Sequence, residues 1–449
     1  MPETEPRGFD QPTQPGLARR LGWRHHGFRV QSQAGAVLAL CCLLALPFAA
    51  DQRAFQIRMH AYNPDLRGWL ANAADLVGGP GPQFYANHPF YIYPPFFLTL
   101  IWPLTKLPVP IAAALFETIK WLALLGSLRI AWRLAAPRGE DVPPIVAVGS
   151  LLLTWRFIDN DLGQGNINLL LLWAVLGSCW WLLRGQHYAA GAAIGVAACV
   201  KVAPALLLVY FAYKGWWRPL LGAVLAAAVC LVIWPALCFG WEANSQLLEG
   251  WYNAVVAGFL ERGAVRSEHT NQALVGIINR LFGTQAAILP DTRLTLIALP
   301  QWVRDMLRLT LGIGILAGVA WTCRRRIDPG RQPPVFAGEL SLVLIAMLLL
   351  SGLSWKAHFV TMLLPYSVLL AYLADARSPS RHRRIISVLL LALFALCTLT
   401  SDIITPAGAN YAEALGLIAL GAVAAGVALA VALTQARRVG RAAGPWRFD

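Results

Sequence analysis

Long apolar segments recur along this chain, and the connections between them carry most of its basic residues. Hydrophobic residues make up 57% of the 449 and charged residues only 13%, whereas soluble domains are typically about 45–50% apolar and about 25% charged. The segments have the length of membrane helices, and none shows the alternation of an outer-membrane barrel. These features predict an all-α polytopic membrane protein.

The first apolar run, residues 34–50, follows a polar tail at 1–33 and lacks a convincing cleavage site, so we expect a retained first helix. Further apolar segments are predicted at 93–107, 109–133, 143–158, 165–183, 188–213, 219–240, 302–323, 338–353, 357–375, 385–401 and 413–434.

Internal prolines in 93–133 and 188–213 indicate short or broken helices, which are tolerated where they line a protein-enclosed cavity. We therefore expect ten to thirteen membrane helices in a body that spans residues 34–434, followed by a basic tail at 435–449. A convincing two-fold internal repeat, common in secondary transporters, is not evident.

The net charge of +14 follows the positive-inside pattern, because the basic residues cluster in the tails and in short connections. This pattern places both tails in the cytoplasm and the two long loops, 51–92 and 241–300, on the opposite face of a cell membrane. Nucleic-acid binding is not indicated. The eight cysteines show no CxxC spacing, so neither a metal site nor a disulfide framework is predicted.

Several polar residues interrupt segments that should face lipid. Lys201 lies within CVKVAPALLL, Gln164 and Asn166 within GQGNINLLLL, and Lys356 and His358 within SWKAHFVTMLLPY. A charge at membrane depth costs roughly 2.5–3.5 kcal/mol on insertion scales, so such residues are usually paired or functional. Each also has a structural explanation, namely snorkelling, an interfacial position or an interhelical hydrogen bond.

The first long loop contains YNPDLRGWLANAADL, which predicts an amphipathic helix opened by Asn63-Pro64. Its apolar face, expected to rest at the membrane surface, consists of Leu66, Trp69, Leu70 and Ala73. Asp65 stands at the helix start, where a carboxylate also suits the helix dipole. It is either a helix-start charge or a reactive group.

Other candidates are weaker. Asn271 and Gln272 in TNQALVGIINRLF could cap a helix or contact a substrate, and Tyr93 could belong to an interfacial aromatic belt or to a platform for a sugar. Asp159 and Asp161 have a DxD spacing, but a polar loop beside GQGN explains them better than a metal site.

In order, NPDLRGW, YIYPPFFLTLIWPLTKLP, GQGNINLLLL, CVKVAPALLLVYFAYKGWWR, TNQALVGIINRLF and SWKAHFVTMLLPY resemble glycosyltransferase family 87 over roughly residues 34–375. The resemblance implies a GT-C fold with an active site facing away from the cytoplasm. It also implies a polyprenyl-phosphate sugar donor, most readily one that carries mannose, and a hydroxyl acceptor on a glycolipid or glycan. The family's catalytic base, an aspartate of the first external loop, matches Asp65.

We thus expect inverting transfer, with Asp65 as general base and cations at the departing lipid phosphate. The phosphate-binding candidates are Lys201, His358, Lys356 and Arg67, with Arg53 and Arg58 in reserve; the sugar- or acceptor-binding candidates are Gln164, Asn166, Asn271, Gln272 and Tyr93. Neither a metal nor another cofactor is expected. The alternative is a lipid-linked sugar flippase or transporter, which would also keep cations within the membrane.

Overall fold

The computed structural model describes residues 63–79, 83–136, 141–260, 267–284, 294–375, 378–400 and 405–439. Every regular element in these ranges is a helix, which confirms the predicted all-α fold class. The predicted first span at 34–50 and the tail at 1–33 lie outside them, as do Arg53 and Arg58.

The described chain opens with three short helices before the first long one. They are α1 (Pro64–Gly78), α2 (Phe84–Asn87) and α3 (Pro95–Ile101), the last continued by a 3₁₀ turn at Trp102–Lys106. The helix predicted after Asn63 is confirmed as α1. We expected its apolar face to rest at the membrane surface. That prediction is wrong, because the face is buried against α3 and the 3₁₀ turn. Trp69, for example, meets the ring of Phe97 edge-on at 4.9 Å.

The body then continues through α4 (Val109–Ala135), α5 (Pro144–Gln164), α6 (Asn168–Leu183), α7 (His187–Val200), α8 (Leu206–Tyr213), α9 (Trp217–Ala228), α10 (Trp234–Phe239), α11 (Trp241–Trp251), α12 (Ala257–Leu260) and α13 (Leu274–Phe282). The last six helices are α14 (Gln301–Cys323), α15 (Pro333–Leu350), α16 (Leu363–Ala374), α17 (Ser380–Leu399), α18 (Pro406–Ala414) and α19 (Leu417–Val439). Short 3₁₀ helices at Ala203–Ala205 and Lys356–Met362 precede α8 and α16, and π-helical turns follow α9 and α11.

Within the described ranges, seven helical stretches are long and apolar enough to cross a bilayer, and three shorter apolar helices accompany them. The chain is therefore a polytopic membrane protein, while the expected total of ten to thirteen membrane helices stays a prediction. The most buried stretch is α15, where 94% of the most apolar window is covered by protein; the corresponding share in α14 is 11%. Accordingly, α15 forms the centre of the bundle and α14 its lipid-facing rim.

The predicted break in segment 188–213 is confirmed, because α7 ends at Val200 and α8 begins at Leu206. Packing against α9 fixes the position of α7. A Cβ on Gly191 would lie 1.7 Å from the Pro219 carbonyl oxygen, so only glycine permits this approach, as in other close membrane-helix pairs. The end of α7 is thereby held inside the bundle, and Lys201 follows it there in an extended conformation.

Candidate functional site

The start of α1 fits against the turn between α5 and α6. Asn63 adopts the left-handed conformation, with φ 45°, and Pro64 supplies the fixed φ suited to a first helical turn. In the opposing turn Gly165 has φ 65°, and a Cβ added to it would lie 2.8 Å from the Cβ of Asn63. Glycine is thus required at 165 for both its φ and its size. This contact brings Asp65 to Asn166.

Asp65 is half-buried, and its Oδ2 accepts a hydrogen bond of 2.6 Å from Nδ2 of Asn166. Burial raises the pKa of the Asp65 carboxyl above its ordinary value. The hydrogen bond from Asn166 and the positive charges of Lys201 and Lys120 oppose that rise. A carboxylate with a raised pKa is a better proton acceptor than one at the surface.

Lys201 is buried, as the sequence suggested, and it lies in the same site as Asp65. Its Nζ donates a 2.9 Å hydrogen bond to Oδ1 of Asn168 and contacts Nε2 of His358. The ammonium also lies over the ring of Tyr93, 5.7 Å from the centroid. Around Lys201 the structure therefore brings together His358 and Tyr93, two other predicted site residues, and Asn168 connects them to the predicted pair Asp65 and Asn166.

His358 lies in the 3₁₀ helix that precedes α16, and its ring is held from the backbone. Its Nδ1 accepts a 2.9 Å hydrogen bond from the backbone N–H of Trp355. This bond directs the other ring nitrogen, Nε2, towards Lys201. The imidazole and the ammonium thus present adjacent nitrogens to one point of the site.

Three site residues escaped the sequence analysis as binding or positioning groups: Asn168, Asp161 and Lys120. Asn168 lies between Asn166 and Lys201 and bonds to both. Behind it, Asp161 forms a buried ion pair of 3.1 Å with Lys120. Lys120 interrupts an apolar helix, so the rule that flagged Lys201 would also have found it.

A small cavity of about 30 Å³ adjoins Lys201 and His358. Lys201, His358 and Asn168 line its polar end, and α6 and α15 supply apolar walls that include Leu171 and Met347. Pockets for small organic ligands usually measure about 300–1,000 Å³. A sugar phosphate would therefore enter only if these walls moved apart.

Lys356 and Arg67 lie apart from this arrangement. Lys356 forms an ion pair with Glu413 at the end of α18, rather than joining Lys201. Arg67 is exposed on α1, and Gln164 is half-buried as the last residue of α5. None of these three is shown beside Lys201 and His358, so their binding roles stay predictions.

Asn271 and Gln272 are fully buried and hold the loop that leads to His358. Oδ1 of Asn271 accepts hydrogen bonds from the backbone of Ala273 and Ser354, and its Nδ2 donates to the Gly352 carbonyl. The backbone N–H of Gln272 donates to the Ser354 carbonyl at 2.7 Å. These bonds favour a positioning role; sugar contacts from either side chain stay predictions.

Comparison with known proteins identifies the family. The model for glycosyltransferase family 87 matches residues 91–352. No solved structure matches. Among curated proteins, a polyprenol-phosphate-mannose-dependent alpha-(1-2)-phosphatidylinositol pentamannoside mannosyltransferase of Mycobacterium tuberculosis (strain CDC 1551 / Oshkosh) is 29% identical over 369 residues, 77% of this chain and 72% of the relative.

The protein of the same description from Mycolicibacterium smegmatis is 28% identical over 339 residues, 72% of each chain. A polyprenol-phosphate-mannose-dependent alpha-(1-2)-phosphatidylinositol mannoside mannosyltransferase of Mycobacterium tuberculosis (strain ATCC 25618 / H37Rv) is 25% identical over 333 residues, 69% of each chain. Because the family model covers more than half of the sequence, the chain belongs to glycosyltransferase family 87.

Proposed function

We propose that this glycosyltransferase moves mannose from a polyprenyl-phosphate donor to a hydroxyl of a glycolipid, with inversion at the anomeric carbon. The relatives named above support the donor and the acceptor class. The observation that carries the mechanism is the continuous set of contacts from Asp65, through Asn166 and Asn168, to Lys201 and His358.

Asp65 acts as general base in this proposal. It takes the proton of the acceptor hydroxyl as the oxygen attacks the anomeric carbon and the bond to the phosphate oxygen breaks. Its half-buried position and the opposing influences on its pKa suit that role. A positioned base contributes typically about 10²–10⁴-fold to a rate.

Lys201 and His358 bind the donor phosphate. The leaving group departs as a lipid phosphate, so it requires stabilisation of developing negative charge rather than a proton. Two adjacent nitrogens beside a cavity, shielded from water by apolar helices, provide that stabilisation. A phosphate oxygen between them would also relieve the close approach of the ammonium and the imidazole.

The site lies where α5 ends, α6 begins and α7 ends. The basic connections of this region lie at the opposite ends of the helices. Arg184 follows the far end of α6, and Lys214 follows the far end of α8. By the positive-inside rule, those ends face the cytoplasm. We therefore place the reaction on the non-cytoplasmic side of the cell membrane, where the acceptor headgroup would be reached.

Replacing the cation tests the phosphate site. Lys201→Met should raise the KM for a radiolabelled polyprenyl-phosphate mannose in a detergent-solubilised transfer assay, because the ammonium no longer meets the phosphate. Lys106→Met is the matched control, since Lys106 is exposed and stacks on Trp102 at 5.2 Å. A donor KM in Lys201→Met equal to that of the control would remove Lys201 from phosphate binding.

A further inference from the structure

Two buried asparagines connect the proposed base to the proposed phosphate cation. Lys201 Nζ donates to Oδ1 of Asn168 at 2.9 Å. Nδ2 of Asn168 donates to Oδ1 of Asn166 at 2.7 Å, and Nδ2 of Asn166 donates to Oδ2 of Asp65 at 2.6 Å. The four side chains therefore form one uninterrupted chain of hydrogen bonds.

Every donor in this chain points from Lys201 towards Asp65. An ammonium can only donate and an ionised carboxylate can only accept, so the charges at the two ends favour this orientation of both amides. The backbone N–H of Ile167 supports it by donating to Oδ1 of Asn166 at 2.8 Å. Hydrogen bonds aligned in this way polarise one another. Each amide thus transmits part of the effect of the Lys201 charge to Asp65.

Asn168 is the anchored member of the chain. Its backbone N–H and its Nδ2 both donate to Oδ2 of Asp161, each at 3.1 Å. Asp161 is completely buried and is paired with Lys120, which is also completely buried. Lys120 further donates to the backbone carbonyl of Asp161 at 2.7 Å. The Asp161–Lys120 ion pair thus fixes Asn168, while the amide of Asn168 bonds to Asn166 and Lys201.

We propose that Asn168 is a positioning residue for the transfer reaction, anchored by the Asp161–Lys120 pair, which fixes the base relative to the phosphate cation and keeps the base ionised. The inference rests on the proposed function, since it assigns Asp65 and Lys201 the roles given above. Asn168 itself acts through Asn166 and Lys201.

The surroundings of Asp65 support this assignment. Among the described residues, the cations that act on the Asp65 carboxyl are Lys201 and Lys120. Asn168 connects to both, since Lys201 donates to it directly and Lys120 pairs with Asp161, to which Asn168 donates. Lys106, on the turn packed against α1, lies over a tryptophan ring instead. Arg67, on α1 itself, is exposed. Asn168 is thus the described side chain through which the site cations connect to the base.

The test compares Asn168→Leu and Asn168→Ser with the wild-type protein in detergent. Leu preserves the volume and removes every side-chain hydrogen bond, whereas Ser keeps one hydroxyl. Ser178→Ala is the matched control, because Ser178 lies on the same helix, is fully buried, and has an Oγ without a hydrogen-bond partner among the described residues. Thermal unfolding shows which variants are folded.

We expect the Leu variant to lose roughly tenfold to a hundredfold in kcat/KM, as for hydrogen bonds to charged groups. The Ser variant should lie between it and the wild type. Asn166 keeps its bond to Asp65 in both variants, but that bond loses the polarisation that reaches it from Lys201 through Asn168. A bond donated to the ionised form lowers a carboxyl pKa, so weakening this bond should raise the pKa of Asp65. The acidic limb of the kcat/KM profile should therefore move to higher pH in both variants and stay in place in Ser178→Ala.

A uniform loss of activity at every pH, with the acidic limb unmoved, would show a structural role only and overturn the proposal. Failure of both variants to fold would do the same. Infrared titration of the Asp65 carboxyl, read as the difference from Asp65→Asn, needs no substrate. If the wild type transfers no sugar, the proposed function fails, while a higher titration midpoint in Asn168→Leu would still support the coupling.

Discussion

Replacing Asp65 by asparagine removes the proposed base and little else. Asn has nearly the same shape, and its Oδ1 can still accept the 2.6 Å hydrogen bond from Asn166. Because burial raises the pKa of this carboxyl, the neutral form is already favoured by the fold relative to an exposed aspartate. The variant should therefore be no less stable than the wild type in thermal unfolding.

The catalytic cost should be large. A positioned general base is worth typically about 10²–10⁴-fold, which corresponds to about 3–5 kcal/mol of transition-state stabilisation. Asp65→Asn should lower kcat by that factor in transfer from radiolabelled polyprenyl-phosphate mannose to extracted glycolipid. Donor KM should change little, because the asparagine leaves Lys201 and His358 in place.

Asp75→Asn provides the matched control on the same helix. Asp75 lies 3.4 Å from His88, and its side chain is 65% exposed, so its loss should leave kcat within a factor of two or so of the wild type. If Asp65→Asn turned over at the rate of Asp75→Asn, then Asp65 would not be the base, and the mechanism would be wrong.

Three further outcomes are expected. Gly165→Ala should lower the free energy of unfolding by about 1–3 kcal/mol, because the alanine would need φ 65° and would overlap the start of α1. Gly177→Ala is the control, since Gly177 has open space around it. Equal unfolding temperatures of the two variants would contradict the argument. Lys356→Met should lower the unfolding temperature more than the donor affinity, since Lys356 pairs with the buried Glu413; the reverse in unfolding and KM measurements would place Lys356 at the phosphate. In the wild type, kcat/KM should rise with pH through an acidic limb above the ordinary aspartate pKa of 3.8, because the base must be ionised and burial raises its pKa. A limb at or below that value would contradict the burial of Asp65.

Local patterns in the sequence predicted much of the fold. Asn63-Pro64 predicted the start of α1, and the internal proline of segment 188–213, Pro204, predicted the break that leaves Lys201 between two helices. Both signals act within a few residues, since proline fixes its own φ and disfavours helix in the residue before it. The prediction that the apolar face of α1 rests on the membrane was wrong. Amphipathicity reveals that a face is buried but not whether lipid or protein covers it.

The sequence did not reveal in the same way which side chains of different helices contact one another. Lys356 and His358 are two residues apart, and both were predicted to bind the donor phosphate. A 3₁₀ helix has three residues per turn, so their side chains point in directions about 120° apart, one towards Glu413 and the other towards Lys201. Side chains two residues apart also diverge in an α-helix, so Lys356 and His358 would share a face only in an extended segment. The sequence did not establish which conformation this segment adopts.

The polar chain through Asn168 depends on packing between distant segments. Asn166 and Asn168 flank one residue in GQGNIN, where either could have faced a substrate or a neighbouring helix. Asn168 is fixed by the ion pair between Lys120 and Asp161. Lys120 and Asp161 are 41 positions apart in the sequence. Only the packed bundle shows that the amides are shared between Asp65 and Lys201.

The stereochemistry of the product tests the central claim most directly. Purified protein would be given a polyprenyl-phosphate mannose of defined anomeric configuration, and NMR would establish the configuration of the new linkage. One base and one phosphate-binding pair in a single displacement predict the opposite configuration in the product. A product that keeps the donor's configuration, or a donor returned intact without a new glycosidic bond, would contradict this account.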